Sequence, residues 1–343
     1  MKQNIRNISF NELNEFISGN GHSAFRAKQI WEWIWEKNIT EFQKMTNIPA
    51  NLREMLEEKF FFAISKAEIE LRSKDRTIKT LHRLYDNKTI ETVLIPSKER
   101  VTTCLSTQTG CNLACRFCAT GMLKGARNLD SGEMFDHFFY AKNKSLLEYK
   151  KNLSNIVFMG MGEPLLNYEN LLKTISAITN PEGLNFSPQR ITVSTVGIVE
   201  GIKRLADDNV SFHLAISLHA ANDILRNSLM PVNKKHGISG LKEAIIYFHK
   251  ATNQRITYEY VLLKNVNDSL KHASELAEFC KITPCKVNII EYNSSSTNKF
   301  QASDVETMQK FSSFLEGRNM LVNIRKSRGN DIDAACGQLA NKC

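Results

Sequence analysis

Cys111, Cys115 and Cys118 stand in the stretch Cys-Asn-Leu-Ala-Cys-Arg-Phe-Cys, at spacing C-x3-C-x2-C. Three thiolates this close can converge on one inorganic centre. They can hold three corners of a [4Fe–4S] cube and leave the fourth iron open to a small molecule. Structural zinc normally takes four ligands, often as two separated C-x2-C pairs, and here neither a second pair nor a histidine follows. Disulfides suit the pattern poorly, because three cysteines in so short a run pair badly and no secretory signal precedes them. Chance clustering of buried cysteines is the remaining reading, with eight cysteines spread over 343 residues.

Other groups could join such a centre. Gly162-Glu163-Pro164 gives the backbone room to approach a ligand and sets a carboxylate beside it, for which an ammonium is the natural partner. Taken alone the triplet ordinarily means a turn. Ser194, Ser217, His219 and Asn293 are small or polar groups able to bond ribose hydroxyls, a carboxylate or adenine, although serines end strands routinely and a single histidine is more often structural. At Leu218 the backbone matters more than the side chain. Cys336, in Ala-Ala-Cys-Gly, is flanked by small residues that leave its sulfur accessible. Cys104 precedes Cys111 within a strand-like run. Cys280, Cys285 and Cys343 read as ordinary free cysteines. Lys124, Arg127, Lys234, Lys235, Arg325, Lys326 and Arg328 lie near expected strand ends or the Cys336 loop, where they could meet phosphates or simply be solvated.

These words together resemble a known family. C-x3-C-x2-C directly after a strand-like run is the hallmark of radical S-adenosylmethionine (radical SAM) enzymes. The segments Thr103-Cys-Leu-Ser-Thr-Gln-Thr-Gly-Cys111, Met159-Gly-Met-Gly-Glu-Pro164, Ser217-Leu-His-Ala220 and Arg328-Gly-Asn-Asp-Ile-Asp-Ala-Ala-Cys-Gly-Gln-Leu339 resemble the dual-specificity ribosomal and transfer RNA adenine-C2 methyltransferases. The resemblance implies one [4Fe–4S] cluster on Cys111, Cys115 and Cys118. It implies S-adenosylmethionine held by Gly162, Glu163, Ser194, Ser217, Leu218, His219 and Asn293. Its substrates would be 23S rRNA and tRNA, its reductant of flavodoxin type.

The same resemblance implies a route through two further thiols. Adenine C2 is electron-poor and no nucleophile, so direct methyl transfer from a sulfonium fails. One S-adenosylmethionine would methylate Cys336, thiolate being the reactive form. A second would yield a 5′-deoxyadenosyl radical that removes a hydrogen from the S-methyl group. The methylene radical would add to adenine, Glu91 would take the ring proton, and Cys104 would close a disulfide with Cys336 to release RNA. Periodicity alone makes Glu91 a solvent-facing strand residue. The adenine must be unstacked to reach such a site.

The elements that would position these residues form an α/β chain. A small N-terminal helical domain, an RNA-docking accessory in the family, is expected over 1–66. Within it Ser23 caps a helix carrying Trp31 and Trp35 on one face, either as core or as an RNA surface with Arg26, Lys28 and Lys37. A linking β-hairpin is expected over 67–99, with strands at 78–84 and 89–95. From 100 to 343 strand-like runs alternate with helical ones near 133–147, 168–178, 198–207, 239–251, 269–281 and 302–316. Six βα units are too few for a closed eightfold barrel, so a partial (β/α)6 TIM-like barrel is expected. Its chemistry gathers at the C-terminal strand ends, where nearly every residue singled out falls.

The balance of 45 Lys+Arg against 36 Asp+Glu, net +9, permits an anionic partner such as RNA without requiring one. No apolar run is long enough to cross a bilayer, so no membrane partner is expected, and a cytoplasmic monomer is. Two other functions remain open at this stage: the sister adenine-C8 methyltransferase, and a non-catalytic iron–sulfur RNA-binding protein that leaves Cys104 and Cys336 idle.

Overall fold

The computed structural model describes residues 2–123, 125–294 and 300–340, so Lys124, Cys343 and residues 295–299 of the polar stretch after Asn293 lie outside the described residues. The chain begins with strand β1 (Gln3–Asn4), helices α1 (Phe10–Gly19), α2 (Ala24–Trp35) and α3 (Ala50–Lys59), and strand β2 (Phe60–Phe61). Strands β3 (Lys66–Arg72), β4 (Ile78–Arg83) and β5 (Thr89–Pro96) follow, then β6 (Val101–Cys104). An alternating series completes it: α4 (Ser131–Tyr149), β7 (Asn155–Phe158), α5 (Tyr168–Thr179), β8 (Ile191–Thr195), α6 (Val199–Asp207), β9 (His213–Ser217), α7 (Asp223–Leu229), α8 (Ile238–Thr252), β10 (Ile256–Leu262), α9 (Leu270–Cys280), β11 (Cys285–Glu291), α10 (Val305–Glu316) and β12 (Val322–Arg325).

The strands β3 to β12 form one sheet in chain order. From β6 to β12 every pairing is parallel, and six helices, all but α7, cross between successive strands. This is the expected open barrel. Its strands are covered on both faces and read as apolar runs. All seven positions of β10 are buried, including Glu259 in Ile-Thr-Tyr-Glu-Tyr-Val-Leu. The short α7 escapes a periodicity reading, because one turn and a half carries too little pattern.

The expected hairpin is present, with Leu81 opposite Glu91, but it is one part of a three-stranded antiparallel meander. β5 also pairs antiparallel with β6, Val93 opposite Cys104, so the meander extends the barrel sheet rather than bridging to it. β3 hides from alternation because Lys-Ala-Glu-Ile-Glu-Leu-Arg is exposed along nearly its whole length. The solvent-facing reading of Glu91 is wrong: its side chain is fully buried, since the C-terminal segment lies over β5 and the Ala340 N–H donates to Glu91 Oε2 at 3.0 Å.

The N-terminal helices start where their caps say. Ser9 and Glu12 close a reciprocal capping box on α1, and Ser23 Oγ accepts the Phe25 N–H at 3.3 Å. Trp35 is buried edge-on against Phe135 of α4 at 4.8 Å, and Trp31 packs edge-on against Phe10. Trp35 is core, and Trp31 is partly buried against it. Arg6, buried, pairs with Asp136 of α4 and bonds the Ile39 carbonyl at 3.3 Å, which fastens the helical unit to the barrel. On the outer face Lys37 Nζ stands 3.6 Å from the Trp33 ring centre. Among the described residues no helix is long and apolar enough to cross a membrane.

Two histidines are sealed between β4 and α4. His82 and His137 stack with ring centres 4.7 Å apart, and His82 Nε2 meets Thr92 Oγ1 at 2.8 Å. Burial pushes His82 down to about 3 and His137 well below its ordinary range, the neighbouring ring adding to the latter. Their folded values lie below the unfolded value, so their contribution is complete above pH 6.5 and lost as pH falls below it. Each histidine should cost about 1.4 kcal/mol per pH unit on the acid side. Neither His137 ring nitrogen has a hydrogen-bond partner. His137→Leu is therefore expected to flatten the fall of Tm between pH 7 and 5, measured by calorimetry, and an unchanged slope would remove this pair as a cause of acid lability.

Candidate active site at the strand ends

The C-terminal ends of the parallel strands open on one cleft with about 1640 Å³ of empty space, mouth included. Every predicted site residue lines it except Glu91 and Leu218.

Gly162 and Glu163 follow β7. Gly162 adopts φ +99°, and a Cβ there would stand 2.5 Å from that of Gln108, so both conformation and space require glycine. Gln108 Oε1 accepts the Glu163 N–H at 2.8 Å. The carboxylate, 2 % exposed, accepts Leu165 N–H at 3.0 Å and Val196 N–H at 2.9 Å. Burial pushes Glu163 up to about 7, partly opposed by those amides, which makes the site receptive to a cation.

Across the cleft Ser194 Oγ and Ser217 Oγ lie 3.2 Å apart. His219, at φ +58°, accepts the Val261 N–H on Nδ1 at 3.0 Å and stacks edge-on with Phe117 at 4.8 Å. Burial, with Arg226 nearby, pushes it down to about 3, so it is a neutral, fixed ring. Leu218 points into the core; its N–H bonds the Glu259 carbonyl and its own carbonyl accepts Arg226 Nε at 3.1 Å. Nothing in the sequence marks Arg226. It is wholly buried and also binds Asn233 Oδ1 and the Val196 carbonyl, so one guanidinium ties the ends of β8 and β9 together.

Cys111, Cys115 and Cys118 share one wall, none in a disulfide, and Cys115 senses the charge of both others. Gly121 leans against the Cys115 backbone, where a Cβ would stand 3.2 Å from its nitrogen. Among the described residues no three His, Cys, Asp or Glu side chains converge tightly enough for a single metal ion. Burial pushes Cys111 up to about 11 and raises Cys115 further, so a positive centre must displace their protons on binding.

Cys104, at the tip of β6, and Cys336 line the same cleft; Cys104 feels the charge of Cys336, both feel Arg325, and Cys336 also feels Cys118 of the triplet. Burial pushes Cys104 up to about 12, with Cys336 adding to it. Cys336 is reachable from the cleft, yet protein atoms crowd its thiol; this raises it, and the Arg325 guanidinium opposes the rise. Arg325 is held by Glu259 Oε2 at 3.3 Å, and Asn288 Nδ2 holds Glu259 Oε1 at 2.8 Å. Arg325 is thus a component of the thiol site rather than a surface phosphate contact. Glu259 was discoverable: a carboxylate in the middle of a buried, mostly apolar strand must have a partner.

The other basic residues divide. Arg127 is occupied by a bidentate pair with Glu133, both bonds 2.8 Å, and by Asp86. Lys326 and Arg328 line the cleft mouth, with Arg328 3.7 Å from Asp75. Lys234 and Lys235 are exposed on the turn after α7.

A parallel half-barrel with three cysteines beside an acidic, glycine-backed strand end defines the class. The Radical SAM superfamily model matches residues 105–278, and this chain is a radical SAM enzyme, a superfamily whose members bind a [4Fe–4S] cluster and S-adenosylmethionine. The Ribosomal RNA large subunit methyltransferase N-terminal domain model matches residues 3–62. Probable dual-specificity RNA methyltransferases RlmN of Christiangramia forsetii and Flavobacterium psychrophilum are 46% and 47% identical to it, each over 99% of this chain and 97% and 98% of the relative. The crystal structure of a radical SAM methyltransferase from Sphaerobacter thermophilus superposes with TM-score 0.92 at 40% identity, covering 99% of this chain and all of that one. The chain belongs to the RlmN family of dual-specificity RNA methyltransferases.

Proposed function

We propose that this enzyme methylates carbon 2 of adenine in 23S rRNA and in tRNA beside the anticodon, through a covalent intermediate on Cys336. The observation that carries the reading is a second pair of thiols, Cys104 and Cys336, in the same cleft as the cysteine triplet and next to Arg325. A binding protein has no use for such a pair.

Cys111, Cys115 and Cys118 would hold the cluster. Glu163, backed by Gly162, would take the ammonium of S-adenosylmethionine, with Ser194, Ser217, the Leu218 backbone, His219 and Asn293 completing its site. When bound, these groups supply a transferable methyl group and a hydrogen-abstracting carbon radical. Cys336 accepts the methyl on sulfur, and Arg325 favours the thiolate that does so. Once one hydrogen atom has been taken from the S-methyl group, the S-bound carbon joins adenine C2, and the adduct, tethered to Cys336, would give up its unpaired electron to the cluster. Glu91 takes the proton from C2. The Cys104 thiolate attacks Cys336 sulfur, the carbon–sulfur bond breaks with its electron pair going to the carbon, that carbon takes up a proton to become methyl, and methylated RNA leaves a Cys104–Cys336 disulfide. The exposed Lys37–Trp33 face and the Lys326–Arg328 rim fit an RNA whose adenine is splayed out. A flavodoxin-type reductant, a monomer and the cytoplasm complete the reading.

The test is anaerobic. Cluster-loaded enzyme receives reductant, methyl-labelled S-adenosylmethionine and unmodified 23S rRNA fragments or tRNA, and the digested nucleosides are identified. Label at adenine C2 in both RNAs is expected. Label at C8 would assign the chain to the sister activity. Cofactor cleavage without labelled nucleoside would sink the RNA substrate.

A further inference from the structure

The loop carrying Cys336 has little regular structure, only a short 3-10 turn at Asn330–Ile332, so its place depends on what grips it. On one side Ala119 N–H donates to the Gly337 carbonyl at 2.7 Å and Thr120 Oγ1 to the Leu339 carbonyl at 2.6 Å. On the other side lies the meander. Gly329 N–H reaches Asp75 Oδ2 at 3.1 Å and Ser73 Oγ donates to Asp331 Oδ1 at 2.5 Å. These contacts sit at the loop's start. Closer to the thiol, two charges lie inside the protein. Lys79 Nζ is 3.0 Å from Glu91 Oε1, their side chains 1 % and 0 % exposed. The same ammonium donates to the Asp333 carbonyl at 3.3 Å, three residues before Cys336. The other oxygen of Glu91 accepts the Ala340 N–H at 3.0 Å, four residues after it. One buried ion pair therefore grips the loop on both sides of the thiol.

We propose that Lys79 is a positioning residue of the methyl-transfer reaction: its buried ammonium, shared between Glu91 and the Asp333 carbonyl, docks the Cys336 loop on the antiparallel strands and orients Glu91 beneath it. The inference rests on the reading of Cys336 and Glu91 given above. Two adjacent strands hold the pair, Lys79 on β4 and Glu91 on β5, diagonal across the Leu81–Glu91 register. A rigid sheet thus sets where a pliant loop lies. Asp333 has φ +52°, a turn that aims its carbonyl back at the sheet. A buried charge stranded without its counter-ion is strongly unfavourable, so the pair operates as a unit. This also explains why the meander is fused to the barrel sheet: it is the loop's dock.

Hydrogen–deuterium exchange on the cluster-loaded full-length enzyme tests it, read by mass spectrometry over residues 329–340. In Lys79→Met, exchange of this segment should quicken at least about tenfold while β7–β9 keep wild-type rates. kcat should fall at least about tenfold with KM for RNA within about twofold, since a misplaced thiol alters the reacting geometry and not RNA docking. Wild-type exchange over 329–340 overturns the proposal, and so does unchanged kcat. If Lys79→Met also loosens the barrel strands, the double variant Lys79→Met/Glu91→Gln decides. It strands no charge and keeps an acceptor for Ala340 while removing the Lys79 tie to Asp333. Faster exchange over 329–340 than in wild type then supports the proposal, and equal exchange overturns it. Separately, full methylation by Glu91→Gln would sink the proton-acceptor role and leave the exchange result standing.

Discussion

A Cys336→Ala enzyme binds RNA with wild-type affinity and transfers no methyl group to it. The expected loss is on the order of 10³-fold or more, because the covalent intermediate has no other sulfur to form on. Cys104 cannot substitute for it. It is buried at the tip of β6 and pushed up to about 12, while Cys336 is reachable on a loop. Removing a reachable thiol from a loop flanked by alanine and glycine creates no core cavity, so stability should change by less than about 1 kcal/mol. Filter binding and labelled-methyl transfer, measured on the same sample, separate the two effects. Retained transfer would show that adenine receives its methyl directly. Lost RNA binding would give Cys336 a structural role instead.

The expectation depends on how the cleft treats its thiols. Burial, with the neighbouring thiols and Glu163 adding to it, raises Cys111 and Cys115, which await a positive centre. Cys336 has the Arg325 guanidinium against its burial, and Glu259 with Asn288 fixes that guanidinium. Arg325 thus opposes at Cys336 the rise that burial imposes, and so favours ionisation of that thiol over what burial alone would allow.

Much of this site was legible before any coordinates. The cysteine triplet, Gly162-Glu163 and the serines all lie where strand and helix periods change over, and parallel βα topology sends such junctions to one end of the sheet. Periodicity places the six crossover helices to within a few residues, because each buries one face against a sheet. It fails where packing overrides local pattern. Glu91 and Lys79 look like the solvent side of a hairpin, and only the C-terminal segment lying over them makes them interior. That segment returns from more than 200 residues away in the chain, a separation that no local window spans. Arg226 is hidden for the same reason: its partners are carbonyls at the ends of two strands, and carbonyls leave no mark in a sequence. β3 is exposed, so it has no apolar face to betray it.

Cys104→Ala is expected to trap the enzyme on its RNA. The variant keeps Cys336, the cluster donors and Glu91, so every step up to the tether proceeds, and only the attack that breaks the carbon–sulfur bond is missing. About one equivalent of covalent protein–RNA adduct should accumulate and survive denaturing electrophoresis, with turnover stopped after it. The fold should tolerate the change, since deleting one buried sulfur costs about 1 kcal/mol. Burial also sets the rate in the wild type. A thiol pushed up to about 12 is scarcely ionised near neutrality, and below that value its thiolate fraction rises about tenfold per pH unit. The adduct in the wild-type enzyme should accordingly live longest at low pH, with its decay quickening toward tenfold per unit between pH 6.5 and 8.5. Quenched-flow sampling on denaturing gels measures that decay. A flat profile would mean that Cys104 is not the attacking thiol, and a Cys104→Ala enzyme that turns over without an adduct would assign release to another group.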